Sequence, residues 1–354
     1  MNPMLVQAWR GETVESAHVG ALVVTDTDGG VRVALGDVDR PVFPRSAVKA
    51  LQALPLVASG AAARLALTDD ELAIACASHN GEPAHVRTVQ GMLAKAGLDE
   101  GALECGTHWP ALDTAARALA VSGRHASALH NNCSGKHAGF LCLGCMLCDD
   151  ETELRRFVEG YVAPMHPLMR EVDAALQAAT GFDLDEAPRA TDGCSIPTYA
   201  IPLRRLALAF ARLGSGIGLG EGHARAARRL RQAVAAAPFM VAGTGRFDTR
   251  VMQHLGERVF CKVGAEGVYC AALPDQGLGV AIKIDDGNNA RAAEVTMAAV
   301  IEALLPLGPE DAAFMHGLSD VRLHNWNGLE VGRLAATDAL REGLARGERR
   351  SALG

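Results

Sequence analysis

The sequence predicts an α+β fold in which strands from both ends of the chain form one antiparallel sheet. Residues 19–27 and 31–35 are rich in β-branched and apolar side chains, and Asp28-Gly29-Gly30 between them favours a hairpin. Further strand patterns follow near the other end, at 259–263, 267–273 and 279–284. Because unpaired strand edges are unfavourable, we expect a single sheet made from both ends, with helices on its faces.

Helical periodicity dominates the middle of the chain. Apolar residues recur at helical spacing over 46–60, and Thr68 with Glu71 forms a capping-box sequence at the start of the next helix. We therefore expect a single domain over residues 1–354 with a helical block between the strands. In this prediction the sheet comes from the strand-rich parts 1–42 and 257–354, and the helical part is 43–256.

Composition excludes several classes of function. The net charge is −7 and no long run of Lys or Arg occurs, so the sequence does not favour nucleic-acid binding. No stretch of about 18 uncharged apolar residues predicts a membrane span. The start, MNPMLVQAWRGE, lacks the basic and then apolar pattern of a secretion signal. With nine cysteines, an odd number, we expect reduced thiols and a cytoplasmic protein.

Three short elements carry chemically useful residues in a recognisable order. Ser46 and Lys49 form S-x-x-K at a predicted helix start, Ser78 and Asn80 form S-x-N, and Lys262 begins K-x-G on a predicted strand. Residues i and i+3 share a helix face, so the Lys49 amine can reach the Ser46 hydroxyl. A lysine removes a serine proton when burial or a nearby positive charge lowers its pKa, and Lys262 could supply that charge.

The order of these elements resembles the β-lactamase and penicillin-binding-protein group, in which the middle element is S-D-N and the last is K-T-G. S-x-x-K alone is a weak signal, since it also describes a surface lysine after a helix start. The ordered combination is much more specific, because each element also falls on the expected helix or strand.

A second group of candidate residues lies in two loops. Cys133 and Lys136 belong to NNCSGKH, and Asp192 and Cys194 belong to DGC. Thiolates and carboxylates are competent zinc ligands, and a neutral lysine amine is an unusual further ligand. From spacing alone, two interpretations stay open: a zinc site, or an ordinary glycine-containing loop with buried thiols.

Longer segments resemble the asparaginase II family, the class 3 or rhizobial-type L-asparaginases. They lie between about residues 40 and 290 and include VFPRSAVKALQALPLV, ASHNGEP, NNCSGKHAGFL, DGCSIPTYAIPL, GTGRFDT and KVGAEGVYCAALPDQGLGVAIKIDDGN. The resemblance implies a serine β-lactamase/glutaminase-like fold and hydrolysis of L-asparagine to L-aspartate and ammonia. It also implies a homodimer with one zinc ion per subunit. The family pattern has a cysteine where this chain has Asp248.

The resemblance assigns roles to individual residues. It implies two catalytic pairs, Ser46 with Lys49 and Ser78 with Lys262. It also implies a zinc site of Cys133, Lys136 and Cys194, with Asp192 nearby or as a ligand. This donor set lacks the open, histidine-rich shell of a hydrolytic metal, so we expect zinc to be structural or to tune the substrate.

Substrate recognition requires partners for an α-ammonium and an α-carboxylate. Arg45, His79 and Asn80 are the candidates closest in sequence to the serines. Sequence does not decide which serine is acylated. We favour Ser46, because a helix N-terminus stabilises an alkoxide and Lys49 lies one turn away.

Three alternatives stay open at this point. The first is a penicillin-recognising or other small-amide serine hydrolase of the β-lactamase-like fold. The second is a thiol amidase that uses Cys133 with His137. The third is a non-catalytic zinc-binding or scaffold protein, which would leave the three ordered Ser/Lys elements unexplained.

Overall fold

The computed structural model describes residues 1–351, and side-chain surroundings through residue 347. The chain forms two compact units. The sheet unit comprises Met1–Ala47, Ala200–Arg212 and the chain from Cys261 onward, and the helical unit comprises Val48–Tyr199 and Leu213–Phe260. The chain therefore passes between the units four times, after residues 47, 199, 212 and 260.

The strands of the described chain are short apart from one. They are β1 (Met4–Arg10), β2 (Thr13–Thr25), β3 (Val31–Leu35), β4 (Pro41–Val42), β5 (Arg189–Thr191), β6 (Pro197–Tyr199), β7 (Ile201–Pro202), β8 (Phe260–Val263), β9 (Val268–Leu273), β10 (Leu278–Ile284), β11 (Asp320–His324) and β12 (Glu330–Ala336).

The helices alternate with loops through the middle of the chain and return near its end. They are α1 (Lys49–Gln52), α2 (Leu54–Ala58), α3 (Ala61–Arg64), α4 (Asp69–Ala75), α5 (Pro83–Lys95), α6 (Asp113–Val121), α7 (Ser134–Gly144), α8 (Glu151–Phe157), α9 (Pro167–Thr180), α10 (Leu203–Ser215), α11 (Glu221–Ala236), α12 (Pro238–Val241), α13 (Phe247–Leu255), α14 (Glu294–Leu304), α15 (Pro309–Ser319) and α16 (Asp338–Ser351). Within residues 1–351, none of them combines the length and the apolar character that crossing a bilayer requires.

The main sheet joins the two ends of the chain. Its strand order is β11-β12-β1-β2-β10-β9-β8, and β3 also pairs with β2. The first half of β2 pairs antiparallel with β1, and its second half pairs antiparallel with β10, with Val23 opposite Ala281. The predicted hairpin of β2 and β3 is present as well. A curled antiparallel sheet combined with many helices confirms the α+β class.

Both faces of the central strands are covered. Residues 20–25 of β2 and all of β9 are buried, although successive side chains of a strand point to opposite faces. Helix α10 packs very closely on β10, because a Cβ at Gly279 would lie 2.0 Å from the carbonyl oxygen of Ala207. A glycine at this position is therefore a condition for the helix to lie so near the strand.

Helix α7 is the centre of the helical unit, and every one of its residues is buried. It contacts α4 closely, since a Cβ at Gly135 would lie 2.3 Å from the carbonyl oxygen of Ile74. Helix α4 leads into Ser78, and the first turn of α7 carries Lys136. The close helix contact thus fixes two candidate site residues relative to each other.

Local signals explain where the helices begin and break. The capping box is confirmed, because Thr68 and Glu71 exchange side-chain to backbone hydrogen bonds at the start of α4. The single helix predicted over 46–60 is wrong: the chain forms a 3₁₀ turn, Arg45–Val48, and then the separate helices α1 and α2. Pro55 lacks the N–H that would bond to the Leu51 carbonyl, so one continuous helix cannot form.

The cysteine-rich run HAGFLCLGCMLC begins within α7 and continues past its end. Cys142 and Cys145 are buried, Cys148 is half-buried, and all three are free thiols. Burial raises the pKa of each of these thiols. Cys142 and Cys145 are therefore thiols of the core, whereas Cys148 reaches the surface.

Candidate active site

Ser78, His79 and Asn80 follow α4 and run between two neighbouring segments. The N–H groups of Ser78 and Asn80 donate to carbonyl oxygens of the segment 241–242, at 2.8 and 2.9 Å. The N–H of His79 donates instead to the carbonyl oxygen of Asn132, at 3.3 Å. The N–H groups of Ser78 and Asn80 therefore point to one side of the segment and that of His79 to the other, as in an extended backbone.

Lys49 lies against Ser78 in the interior of the helical unit. Its side chain is 1% exposed, and its Nζ donates to Ser78 Oγ at 3.0 Å. It also donates to the carbonyl oxygens of Ala77 and Asn132. A lysine ammonium has three donors and a neutral amine has two, so Lys49 must give up one of these donors before it can accept a proton. An amine at this distance from a hydroxyl can exchange a proton with it.

His79 is a buried, neutral histidine. Its Nδ1 accepts from the N–H of Gly81 at 3.1 Å, so the proton sits on Nε2, which donates to Ser134 Oγ at 3.0 Å. Burial, followed by the charges of His85 and Lys49, lowers the pKa of His79 well below its usual value. Both ring nitrogens have protein partners, so the geometry supports a positioning role, and direct substrate contact stays a prediction.

Asn80 is clamped by residues from a distant part of the chain. Its Nδ2 donates to Glu82 Oε1 and to the carbonyl oxygen of Thr244, both at 3.2 Å. Its Oδ1 accepts from Arg246 Nη1 at 3.3 Å. Since the first two partners only accept, the amide is held with its oxygen towards Arg246.

Glu82 and Gly243 make this clamp possible. The Glu82 carboxylate accepts from the N–H and the hydroxyl of Thr244, at 2.8 and 2.7 Å. Burial raises the pKa of Glu82, but these bonds and the one from Asn80 outweigh burial and lower it, so the group is ionised near neutral pH. Gly243 has φ +109°, and a Cβ there would lie 2.5 Å from Glu82 Oε1.

Three further predicted site residues, Arg45, Ser46 and Lys262, belong to the sheet unit. Ser46 is half-buried in the 3₁₀ turn, and Arg45 before it has φ +50°, a left-handed conformation that strains a non-glycine residue. Lys262, on β8, is fully buried, and its Nζ donates to the Val263 carbonyl oxygen at 2.8 Å. The pairs Ser46–Lys49 and Ser78–Lys262 each draw on both units and stay predictions.

Cys133, Lys136, Asp192 and Cys194 come together in one cluster of the helical unit, in which Asp192 is half-buried and the other three are buried. Lys136 Nζ lies 2.9 Å from Cys194 Sγ, and Cys194 Sγ lies 3.4 Å from Asp192 Oδ2. A hydrogen bond with Cys194 lowers the pKa of Cys133 well below its usual value and raises that of Cys194. Burial lowers the pKa of Lys136, but the neighbouring thiolate charge outweighs burial and raises it.

Comparison with known proteins decides which family the chain represents. The sequence model of L-asparaginase II matches residues 6–336 of the 354-residue chain. The chain belongs to the L-asparaginase II family. A search of curated proteins found no match. As a member of the L-asparaginase II family, the protein is an amidohydrolase that acts on a linear amide bond of a small-molecule substrate.

The zinc ion implied by the L-asparaginase II family can be tested against the cluster of Cys133, Lys136, Asp192 and Cys194. Within residues 1–351, no group of three or more His, Cys, Asp or Glu side chains is arranged to hold a metal ion. The lysine amine must therefore act as a donor beside the two thiols, and it must lose its proton to do so. Two buried thiols, one already favouring the thiolate, and an adjoining amine fit the chemistry of zinc.

Sequence reasoning missed Glu82, Gly243, Thr244 and Arg246. Thr244 contacts Glu82 and Arg246 contacts Asn80, pairs that are 162 and 166 positions apart. Local sequence patterns do not reveal contacts over such distances. One signal was available in GTGRFDT: two glycines around a threonine, followed by an arginine just before a helix. Such a pattern is typical of a tight turn that brings backbone close to another segment.

Proposed function

We propose that the protein is an L-asparaginase that hydrolyses L-asparagine to L-aspartate and ammonia through serine and lysine chemistry. The observation that carries the proposal is the buried contact of 3.0 Å between Lys49 Nζ and Ser78 Oγ. It lies in a chain of the L-asparaginase II family, on the loop that also holds Asn80 in a fixed orientation.

In the proposed reaction Ser46 attacks the side-chain amide carbon of asparagine while neutral Lys49 takes its proton. Residues i and i+3 share one face in 3₁₀ and α turns alike, which supports this pairing. Negative charge develops on the amide oxygen, and we assign its stabilisation to backbone N–H groups, that of Ser46 and one near Lys262.

The bond from Lys49 to Ser78 supports a path for the proton. Lys49 passes it through the Ser78 hydroxyl to the amide nitrogen, the C–N bond breaks, and ammonia leaves. Water then attacks the Ser46 ester and gives its proton to the same lysine, the ester C–O bond breaks, and the serine regains its hydrogen. Lys262 forms the second proposed pair with Ser78 and assists proton exchange at its hydroxyl.

We also propose that Cys133, Lys136 and Cys194, with Asp192 as neighbour or ligand, hold one zinc ion. When bound, zinc would neutralise the thiolates and tie the turn after β5 to the start of α7. The serine β-lactamase-like fold, the homodimer, the cytoplasmic location and substrate contact by Arg45, His79 and Asn80 belong to the same proposal. Light scattering on the purified protein tests the dimer.

Ammonia release from asparagine, with glutamine in parallel, tests the function in the wild type and in Ser46→Ala, Ser78→Ala and the surface control Ser59→Ala. We expect Ser46→Ala to abolish turnover, Ser78→Ala to slow it about 10²- to 10⁴-fold, and the control to match the wild type. A covalent adduct mapped to Ser78 by mass spectrometry would reverse the roles of the serines. A wild type that releases no ammonia would refute the proposed function.

The geometry does not favour the thiol amidase. Cys133 is hydrogen-bonded to Cys194, and both are free thiols. His137 instead shares a hydrogen bond of 2.5 Å with Tyr161. Among the described residues, the remaining ring nitrogen of His137 is buried without a hydrogen-bond partner. The penicillin-recognising alternative is tested by nitrocefin hydrolysis, which we expect to be absent.

A further inference from the structure

We propose that Arg246 binds the α-carboxylate of the amino-acid substrate and so selects α-amino acid amides over other small amides. The inference rests on the proposed function and concerns its specificity. The observation behind it is a half-buried guanidinium that contacts Asn80, two residues after Ser78.

Arg246 contacts the Asn80 side chain, which comes two residues after Ser78. Ser78 and Asn80 alternate with His79, whose side chain bonds to Ser134 instead. Residues i and i+2 of an extended segment lie about 6.6 Å apart and point the same way. A cation on the Asn80 amide is therefore close to the Ser78 hydroxyl, which carries the proton in the proposed reaction.

The positive charge of Arg246 is not neutralised within the described part of the chain. Its guanidinium makes one hydrogen bond, 3.3 Å long, to the neutral oxygen of Asn80. The nearby Glu82 carboxylate is instead directed at Asn80 and Thr244. A guanidinium with spare donors is suited to bidentate binding of a carboxylate.

The span of the substrate fits this placement. In asparagine, three carbon–carbon bonds, about 4 Å, separate the amide carbon from the α-carboxylate carbon. The clamp of Glu82 and Thr244 orients the Asn80 amide, and that amide holds Arg246. The cation is therefore held beside Asn80, two residues from Ser78, before the substrate arrives, which reduces the entropic cost of binding.

Substrates with and without the carboxylate test the role of Arg246. We compare asparagine, succinamic acid, which lacks only the α-amine, and β-alaninamide, which lacks only the α-carboxylate. Arg246→Gln should lower kcat/KM at least about 100-fold for the first two, mainly through KM, and less than about threefold for β-alaninamide. Arg246→Lys should recover part of the loss, because the charge returns without the planar fork.

Controls and contrary outcomes separate this inference from the proposed function. Arg250→Gln removes an exposed cation from α13, the helix that begins just after Arg246, and should keep wild-type values. Equal losses on all three amides, or a wild-type preference retained in Arg246→Gln, would overturn the role of Arg246 while asparaginase activity stands. So would loss of the preference in Arg45→Gln alone. If β-alaninamide reacts too slowly, the inhibition constants of L-aspartate and β-alanine give the same comparison, because β-alanine lacks only the α-carboxylate.

Discussion

Asp173 shows how one half-buried carboxyl links the stability of the helical unit to pH. It accepts a hydrogen bond of 2.6 Å from the Tyr199 hydroxyl. Burial raises the pKa of Asp173 to about 6, although the Tyr199 bond and the charge of Arg189 oppose the shift. A group whose pKa is raised by folding favours the folded state at low pH. That contribution is lost as the pH rises through about 6.

Replacing Asp173 by Asn should remove this pH dependence, since the amide stays neutral and can still accept from Tyr199. The difference in unfolding free energy, variant minus wild type, should increase by about 1–2 kcal/mol when the pH is raised from 4 to 7.5. This value allows for partial solvent screening of the carboxylate. Urea unfolding at both pH values measures the difference. Asp113→Asn, which removes an exposed carboxylate, controls for net charge, and a gain equal at both pH values would contradict the assignment.

At the scale of elements, the contact between the loop after α12 and the segment after α4 shapes the site. Gly243 stands where the two segments touch, so it meets two demands at once. Its φ of +109° disfavours any side chain, and its missing Cβ leaves room for Glu82 and Asn80. Gly245 meets only the first demand, with φ +73° and open space around it.

These two glycines form a matched pair of test positions. Gly245→Ala should cost about 1 kcal/mol of unfolding free energy from backbone strain and leave turnover nearly unchanged. Gly243→Ala should cost at least about 2–3 kcal/mol and raise KM, because the new methyl group displaces Asn80 and with it Arg246. Chemical denaturation and steady-state kinetics on both variants measure this, and equal effects would refute the close contact.

Local chemistry made some elements predictable and hid others. Thr68 and Glu71 foretold a helix start, because both halves of a capping box lie within four residues. The break at Pro55 was also readable, yet the apolar spacing around it favoured one continuous helix. β5 and β6 escaped detection, since they are three residues each and flank a turn that reads as a loop.

For the whole molecule, the buried cluster predicts that metal content and folding stability change together. We expect the purified protein to contain a stoichiometric amount of zinc and a chelator to lower Tm. Zinc at about 100 times its Kd would stabilise the fold by about 2.7 kcal/mol. Elemental analysis and thermal scans check this independently of activity.

Single cysteine variants provide the controls for the metal. Cys133→Ser and Cys194→Ser should lose both the zinc and the response to chelator. Cys148→Ser, which changes a half-buried thiol outside the cluster, should keep both. Metal that stays bound in the first two variants would place it elsewhere.

The sequence predicted that both ends share one sheet, because strand patterns at either end needed partners. It did not predict the strand order, in which β12 and β11 continue the sheet beyond β1. β11 alternates polar and apolar residues over only five positions, and β12, EVGRLAA, does not alternate. The site was predictable in its motifs, while Glu82 and Arg246 depend on contacts that only folding creates.

The central pairing of β2 with β10 also determines how long β2 waits for its partner during synthesis of the chain. Val24 lies opposite Val280, which is 256 positions later (280 − 24). At about 5–20 residues per second, a ribosome needs about 10–50 s to supply that neighbour. Throughout this interval the edge of the buried segment 20–25 of β2 that later pairs with β10 has no strand beside it. We therefore expect chaperones to protect this strand edge during translation.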